Sequence, residues 1–379
     1  MPVQGFLTAI MVLLAFPAHG TATQAQQGIS GATAAYTRAI QLEAEGNHSA
    51  ALALLWEAAA LAPQDADIQN RLGEALERIG ALEAAVDTYR RALAIRPDFR
   101  KAANSLILTL VKAGRGPEAI ERARALVSAE PDDPDRHFTL GLAQSEQDVE
   151  EAIKSFRRVL QLAPRHALAR YNLALVLKRS DRLQDAITEL THTLEIEPRP
   201  EVHYTLGVIY WHQGELDRAA TALRAAVAAE PRYVEAHSTL GTILNAQRDW
   251  RAAAASLRRA IALRPDLPGA HYTLARVLQS AGDTTGAATH LAEAERLRQR
   301  ARQEQEASTL TSVGTQKLDR GDAAGAVESF RRAVATLEAY APAHYQMGRA
   351  LLALGKHDAA RAAFARAREL NPSLVPPRD

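Results

Sequence analysis

Five histidines stand at one position of a regular sequence period, and they are the first candidates for chemistry. Histidine commonly acts as a metal ligand or as a general acid or base. Equivalent side chains on successive packed helices lie about 10 Å apart, whereas a zinc ion needs its ligands within about 2.1 Å. The spacing therefore predicts one repeated packing role and no metal site for these residues, which are His137, His203, His237, His271 and His344.

The sequence contains none of the common catalytic or cofactor-binding motifs. There is no His-Glu-x-x-His, no Gly-x-Ser-x-Gly, no Walker phosphate-binding loop and no dinucleotide fingerprint. The chain has no cysteine, which excludes thiol catalysis, disulfides and cysteine-ligated metals. The adjacent carboxylates Asp132 and Asp133 fall between repeated segments, where helix capping explains them. We expect no catalytic residues, no metal and no small-molecule cofactor.

The overall charge is balanced, with 45 basic against 44 acidic side chains and a net charge of +1. Such a chain has no general field that would attract nucleic acid or an anionic membrane. Nucleic acid is therefore not an expected partner. Alanine and arginine are abundant, which suggests the coding bias of a GC-rich bacterium.

Prolines recur every 33 or 34 residues and divide the chain into repeated segments. Any binding residues must be positioned by the helices of these segments. Between the prolines, a Leu-Gly pair such as Leu72–Gly73 lies in one predicted helix, and an alanine followed four residues later by a bulky apolar residue lies in the next, as in Ala85 and Tyr89 or Ala287 and Leu291. Small residues at these positions allow two helices to approach closely. The prolines are Pro63, Pro97, Pro131, Pro164, Pro198, Pro231 and Pro265.

This pattern resembles the tetratricopeptide repeat family over most of the chain. The resemblance implies an all-α fold, a right-handed superhelical α-solenoid of antiparallel helix pairs. Glycines are expected to end the first helix of a repeat in the left-handed conformation. They are Gly46, Gly80, Gly114, Gly214, Gly282, Gly321 and Gly355.

The period divides the chain into ten repeats. Repeats one to eight are expected over 32–301 and repeats nine and ten over 307–374, followed by a short tail, 375–379. Residues 302–306 are a helical insertion within a stretch, 299–306, that lacks the expected proline and forms either a long helix or a hinge. Its arginines could face an acidic partner, although nearby glutamates favour a balanced, solvated surface.

The N-terminal segment 1–27 is interpreted as a signal peptide or hydrophobic leader. Residues 6–16 are apolar over a length typical of a secretory signal and too short to cross a bilayer, which takes about 20 apolar residues. No lysine or arginine precedes this stretch. We expect an exported protein, periplasmic or secreted. An uncleaved anchor, which would be the only membrane contact, and a cytoplasmic location are the alternatives.

In the family, the first helices of the repeats line a concave face that binds peptides or partner helices. Transferring that register predicts a protein-binding patch in repeats four to six and a second, weaker pairing of aromatics with cations in repeats eight and ten. The aromatic stripe could instead be part of the repeat scaffold. The other tryptophans, Trp56 and Trp250, are expected in the core. The patch comprises Phe138, Leu142, Tyr171, Leu175, Lys178, Arg179, Tyr204, Val208, Trp211 and His212; the second pairing comprises Tyr272 with Arg276 and Tyr345 with Arg349.

The resulting hypothesis is a non-catalytic scaffold or adaptor that binds a protein or peptide of unknown identity in the groove. One alternative is a periplasmic spacer or accessory subunit of an envelope assembly for polysaccharide synthesis, export or secretion. Another is a binding arm for a glycosyltransferase on a separate chain.

Overall fold

The computed structural model describes the backbone of residues 19–372 and 374, and the side chains from residue 30 onward within these ranges. The apolar stretch 6–16 and the tail 375–379 lie outside the described residues. The described chain is entirely helical, with nineteen α-helices and no strand. It divides into two compact units between Val176 and Leu177.

The helices of the first unit, including the one in which the division falls, are α1 (His19–Ala44), α2 (His48–Leu61), α3 (Ala66–Arg78), α4 (Leu82–Ile95), α5 (Arg100–Lys112), α6 (Gly116–Ala129), α7 (Pro134–Gln144), α8 (Val149–Leu162) and α9 (Ala167–Arg179). Those of the second unit are α10 (Leu183–Ile196), α11 (Pro200–His212), α12 (Leu216–Ala229), α13 (Val234–Ala246), α14 (Trp250–Leu263), α15 (Pro268–Ser280), α16 (Thr284–Asp319), α17 (Ala323–Thr336), α18 (Ala341–Ala353) and α19 (His357–Leu370).

Within each unit, consecutive helices pack as antiparallel pairs, and each pair packs on the next. Pairs such as α3 with α4 and α13 with α14 make extensive contacts, and the first helices of successive pairs also touch, as α11 touches α13 and α13 touches α15. One hairpin of this kind cannot bury its apolar face alone, so each depends on its neighbours. The predicted all-α solenoid of helix pairs is confirmed.

Close approach between the helices of a pair depends on the small residues that the sequence places there. A Cβ atom added to Gly73 would lie 2.6 Å from the Tyr89 ring, and one added to Gly207 would lie 2.6 Å from Leu223. Both distances are far below carbon contact distances of about 3.5–4.0 Å. The glycines therefore set the spacing between the two helices.

The ends of the first helices also follow the sequence prediction. All seven predicted glycines have positive φ angles, between 67° and 88°. At the same place in two other repeats the chain uses Asp181, with φ 60°, and Arg248, with φ 63°. These two residues adopt a conformation that glycine reaches more readily.

Two stretches differ in detail from the regular pattern. Helix α1 begins at His19, inside the segment 1–27 assigned to the leader, and no proline interrupts it before Ala44. Helix α16 runs unbroken through 299–306, so the structure has a long helix here and no hinge. Leu291, at a position buried in other repeats, is 50% exposed on this helix.

Candidate protein-binding surface

The recurring histidines have a structural role that matches the prediction of one repeated packing solution. In four of the five, Nε2 contacts the carbonyl oxygen six residues earlier, at 2.8 Å from His137 to Pro131 and 3.0 Å from His271 to Pro265. His237 and His344 make the same contact. In these four repeats an Nε2–H donor thus ties the first helix to the preceding turn. Within the described residues, no group of three His, Asp or Glu side chains is placed to hold a metal.

Four of the predicted patch residues, Phe138, Leu142, Tyr171 and Leu175, lie in the first unit, and all are half-buried. The Phe138 ring lies 6.0 Å from that of Phe156 and 5.1 Å from that of His166. Phe156 is fully buried. Phe138 therefore belongs largely to the packed scaffold, the alternative that the sequence left open for the aromatic stripe.

Charged side chains on the first helices of this unit largely neutralise one another. Glu43 of α1 pairs with Arg71 and, at 2.8 Å, with Arg78, both on α3. Glu77 of α3 lies 2.6 Å from Lys112 of α5. These ion pairs join successive repeats, so their charges are already satisfied within the chain.

The remaining part of the predicted patch lies in the second unit, chiefly on α11. Trp211 is 38% exposed, and its ring meets that of the exposed His212 edge-on at 6.3 Å. Tyr204 is half-buried, with its ring 5.2 Å from that of Tyr233 at the start of α13, and Val208 is half-buried beside it along the helix. Together these residues give α11 a partly apolar outer surface bordered by α13.

The predicted cations of the second unit are less concentrated than expected. Lys178 is half-buried and Arg179 exposed at the end of α9, while Arg276 is exposed on α15. The guanidinium above the Tyr272 ring belongs to Arg298 of α16, at 4.9 Å, and not to Arg276. Arg276 is thus an exposed cation on α15, the helix that contacts α13.

The last predicted pairing lies on α18. The Tyr345 ring packs edge-on against Phe364 at 5.5 Å, while Arg349 donates a hydrogen bond of 3.0 Å to Gln346. Tyr345 is half-buried, so its ring serves the packing of α18 on α19.

The expectation that Trp56 and Trp250 lie in the core is wrong. Trp56 is 46% exposed and Trp250 is 38% exposed. Trp56 lines a groove of about 500 Å³ with Ala59 and Arg91. The repeats themselves carried a signal, because the position of Trp56 holds arginine elsewhere, for example Arg90, and arginine is rarely buried unpaired.

Comparisons with known proteins agree with this architecture. Two family models, both described as tetratricopeptide repeat, match residues 25–98, 204–268 and 238–304 for one and 143–209 and 317–374 for the other. The solved structure of a tetratricopeptide repeat protein from Parabacteroides merdae shares the fold, with a TM-score of 0.52 and 16% identity over 66% of this chain and 99% of that chain.

Two further matches are partial. A thermophilic tetratricopeptide repeat protein of Thermus thermophilus has a TM-score of 0.42 and 24% identity, covering 48% of this chain and 100% of that chain. Protein O-mannosyl-transferase TMTC3 of Homo sapiens is 26% identical over 186 residues, 47% of this chain. The chain spans only 20% of the length of that human protein. With the family models matching most of its length, this chain belongs to the tetratricopeptide repeat family.

Proposed function

We propose that the protein is a non-catalytic scaffold that binds a segment of a partner protein on the face of α11, α13 and α15. The observation that carries this proposal is Trp211. Trp211 is a large aromatic side chain left 38% exposed on a first helix, and tryptophan is among the residues most enriched at binding hot spots.

The chemistry of this face indicates what the partner segment offers. Trp211 and Val208 supply apolar contact area on α11, and Arg276 supplies an exposed positive charge on α15. Two repeat intervals separate α11 from α15, or about 20 Å at about 10 Å per packed helix layer. An extended segment of about six residues spans that distance at about 3.3 Å per residue. The partner therefore carries an apolar anchor followed about six residues later by a carboxylate.

The test compares Trp211→Ala with Trp250→Ala. The two tryptophans have the same exposed fraction, 38%, but Trp250 lies in the first turn of α14, a second helix. Proteins captured by the unaltered chain are identified, and their binding segment is titrated by calorimetry. Truncating a hot-spot tryptophan costs about 2 kcal/mol or more, which is about 30-fold in affinity.

We expect that loss for Trp211→Ala, a smaller loss for Arg276→Ala that shrinks at high salt, and unchanged affinity for Trp250→Ala. Equal affinities for the unaltered chain and the Trp211→Ala variant, both folded by circular dichroism, would refute this surface as the binding site.

A second candidate is a binding arm for a glycosyltransferase on another chain. It is favoured by the match to a segment of a protein named an O-mannosyl-transferase, although that match covers only 20% of the human protein. Co-purification of a transferase in a constant ratio, lost on Trp211→Ala, would support it. A periplasmic spacer in an envelope assembly is the remaining alternative, and it predicts no dependence on Trp211.

Export is proposed from the apolar stretch 6–16. Within the described residues, no helix has the length and apolar character needed to cross a membrane. Fractionation of tagged protein tests the proposal, because a shortened chain in the periplasm or medium is expected. A chain of unprocessed length found only in the cytoplasm would contradict it.

A further inference from the structure

The long helix α16 replaces an ordinary junction between repeats, and both surfaces of that junction are left uncovered. Its first half is the second helix of repeat eight, and its second half is the first helix of repeat nine. At intact junctions the chain turns back, and the first helix of the next repeat covers the second helix before it. Because α16 continues straight, its two halves cannot cover each other.

Two apolar residues of α16 are exposed although their repeat positions are buried in the preceding repeat. Leu257, one repeat before Leu291, is fully buried, whereas Leu291 is 50% exposed. Leu274, one repeat before Val313, is also fully buried, whereas Val313 is 42% exposed. Each half of α16 therefore leaves one apolar residue exposed at a repeat position that is buried in the preceding repeat.

Leu291 and Val313 lie on the same side of α16. At about 100° per residue, 22 residues turn the helix by six full turns and about 40°, and at about 1.5 Å per residue they span about 33 Å. The residues between them on this side are all exposed. This surface, called the α16 stripe, consists of Leu291, Glu295, Arg298, Arg302, Gln305, Glu306, Thr309 and Val313.

We propose that the α16 stripe binds a second copy of this chain, with the two α16 helices antiparallel and their two-fold axis at Arg302. In that arrangement Leu291 of the first copy contacts Val313 of the second. Because of the two-fold symmetry, Val313 of the first copy also contacts Leu291 of the second. No other register about a two-fold axis brings the two apolar residues together.

Charge complementarity supports the same register. It places Arg298 opposite Glu306 of the second copy, an opposite-charge pair. Glu306 makes no side-chain hydrogen bond or ion pair within the described part of its own chain, and Arg298 contacts only the Tyr272 ring, at 4.9 Å. The neighbouring arginines are already neutralised, Arg302 by Glu295 at 2.8 Å and Arg300 by Glu304 at 2.9 Å.

The interface is small, because two apolar contacts and two ion pairs carry it, so the dimer is of the weak, concentration-dependent class. Arg302, paired with Glu295 of its own chain, meets its own copy at the axis, and the removal of these charged side chains from water opposes association. Replacing it in Arg302→Leu is expected to lower the dissociation constant about tenfold.

The experiment measures the mass of the full chain by light scattering and sedimentation over a concentration series. We expect a monomer–dimer equilibrium, lost in the Leu291→Glu, Val313→Glu variant and retained in a Ser308→Glu control on another side of α16. Arg298→Glu should weaken the dimer at least tenfold, and the double variant Arg298→Glu, Glu306→Arg should restore it. Restoration separates pairing across the axis from the loss of the Arg298–Tyr272 contact.

Disulfide capture provides the second measurement, since the chain has no cysteine of its own. Leu291→Cys, Val313→Cys should form a covalent dimer on mild oxidation, whereas Arg296→Cys, Ser308→Cys, more than 90° away around the helix, should not. A monomer at every concentration, or a dimer unaffected by Leu291→Glu, Val313→Glu, would overturn the proposal. So would a monomeric chain that captures a different protein through Leu291.

Discussion

One methyl group at Gly141 should weaken the pairing of α7 with α8, although alanine favours helix over glycine. Gly141 faces the fully buried ring of Phe156, and a Cβ at this position would lie 2.7 Å from one ring carbon and 2.9 Å from another. Overpacking of this kind costs about 1–3 kcal/mol, and the gain in helix propensity is about 1 kcal/mol. Since the clash is with a rigid aromatic ring, we expect a net loss of about 2 kcal/mol.

The repeats of this chain contain their own control. In the other repeats with an aromatic residue at the position of Phe156, that residue also faces a glycine. In the first repeat the same two positions hold Ala39 and Leu55, and both are fully buried. Phe156→Leu alone should cost about 1 kcal/mol by leaving a cavity. The double variant Gly141→Ala, Phe156→Leu reproduces the alanine–leucine pair, so it should recover most of both losses.

The assay is urea unfolding followed by circular dichroism, with hydrogen exchange to locate the change in α7 and α8, because repeat arrays need not unfold in one step. Gly269→Ala is the matched control, since a Cβ there meets nothing within 4 Å. It should stabilise the chain by about 0.5–1 kcal/mol. Strictly additive effects of the two substitutions, or stabilisation by Gly141→Ala, would refute the reasoning.

Three further predictions concern single sites. Arg248→Gly should raise the melting temperature through a gain of about 0.5–1 kcal/mol, because Arg248 holds a φ of 63° at a helix end; a lower melting temperature would contradict this. Burial, then the charges on His271 and Arg258, lower the pKa of His290 in the folded chain. As the pH falls, the unfolded chain therefore takes up a proton at His290 before the folded chain does. The stability that neutral His290 contributes is present above about pH 6.5 and is lost as the pH falls through the folded pKa. His290→Gln should flatten the acid side of a melting-temperature profile, and an identical profile would count against the assignment. Ala219→Arg places a large charged side chain at a fully buried position and should cost about 3 kcal/mol or more, whereas an unchanged denaturation curve would show that the repeat register is wrong.

The ends of the helices could be predicted from the sequence, because they depend on single residues and their immediate neighbours. Glycine reaches positive φ without a Cβ penalty, and all seven glycines predicted to end helices do so. Proline restricts the residue before it, which limits where a second helix can continue. The period alone predicts a structural role for the recurring histidines, while the hydrogen bond that four of the five make to the carbonyl six residues earlier is visible only in the folded chain.

Exposure was harder to predict, because it depends on neighbours distant in sequence. Trp56 and Trp250 are large aromatic residues of second helices and were expected in the core, yet both are exposed. Phe138, chosen as a contact residue, packs against Phe156 and His166. A side chain's position within the repeat gives its side of the helix, but the size of the residues opposite decides whether it is covered.

By itself, the sequence determined the fold class, the helix period, the small residues at helix contacts and the absence of familiar catalytic motifs, because each follows from residue type and spacing along one chain. Only the tertiary structure decided which of these surfaces remain open. Leu291 follows Ala287 with the same spacing as Leu257 follows Ala253, yet Leu257 is fully buried whereas Leu291, on the unbroken helix α16, is 50% exposed. Burial is a property of two surfaces in contact, and a sequence pattern specifies only one of them.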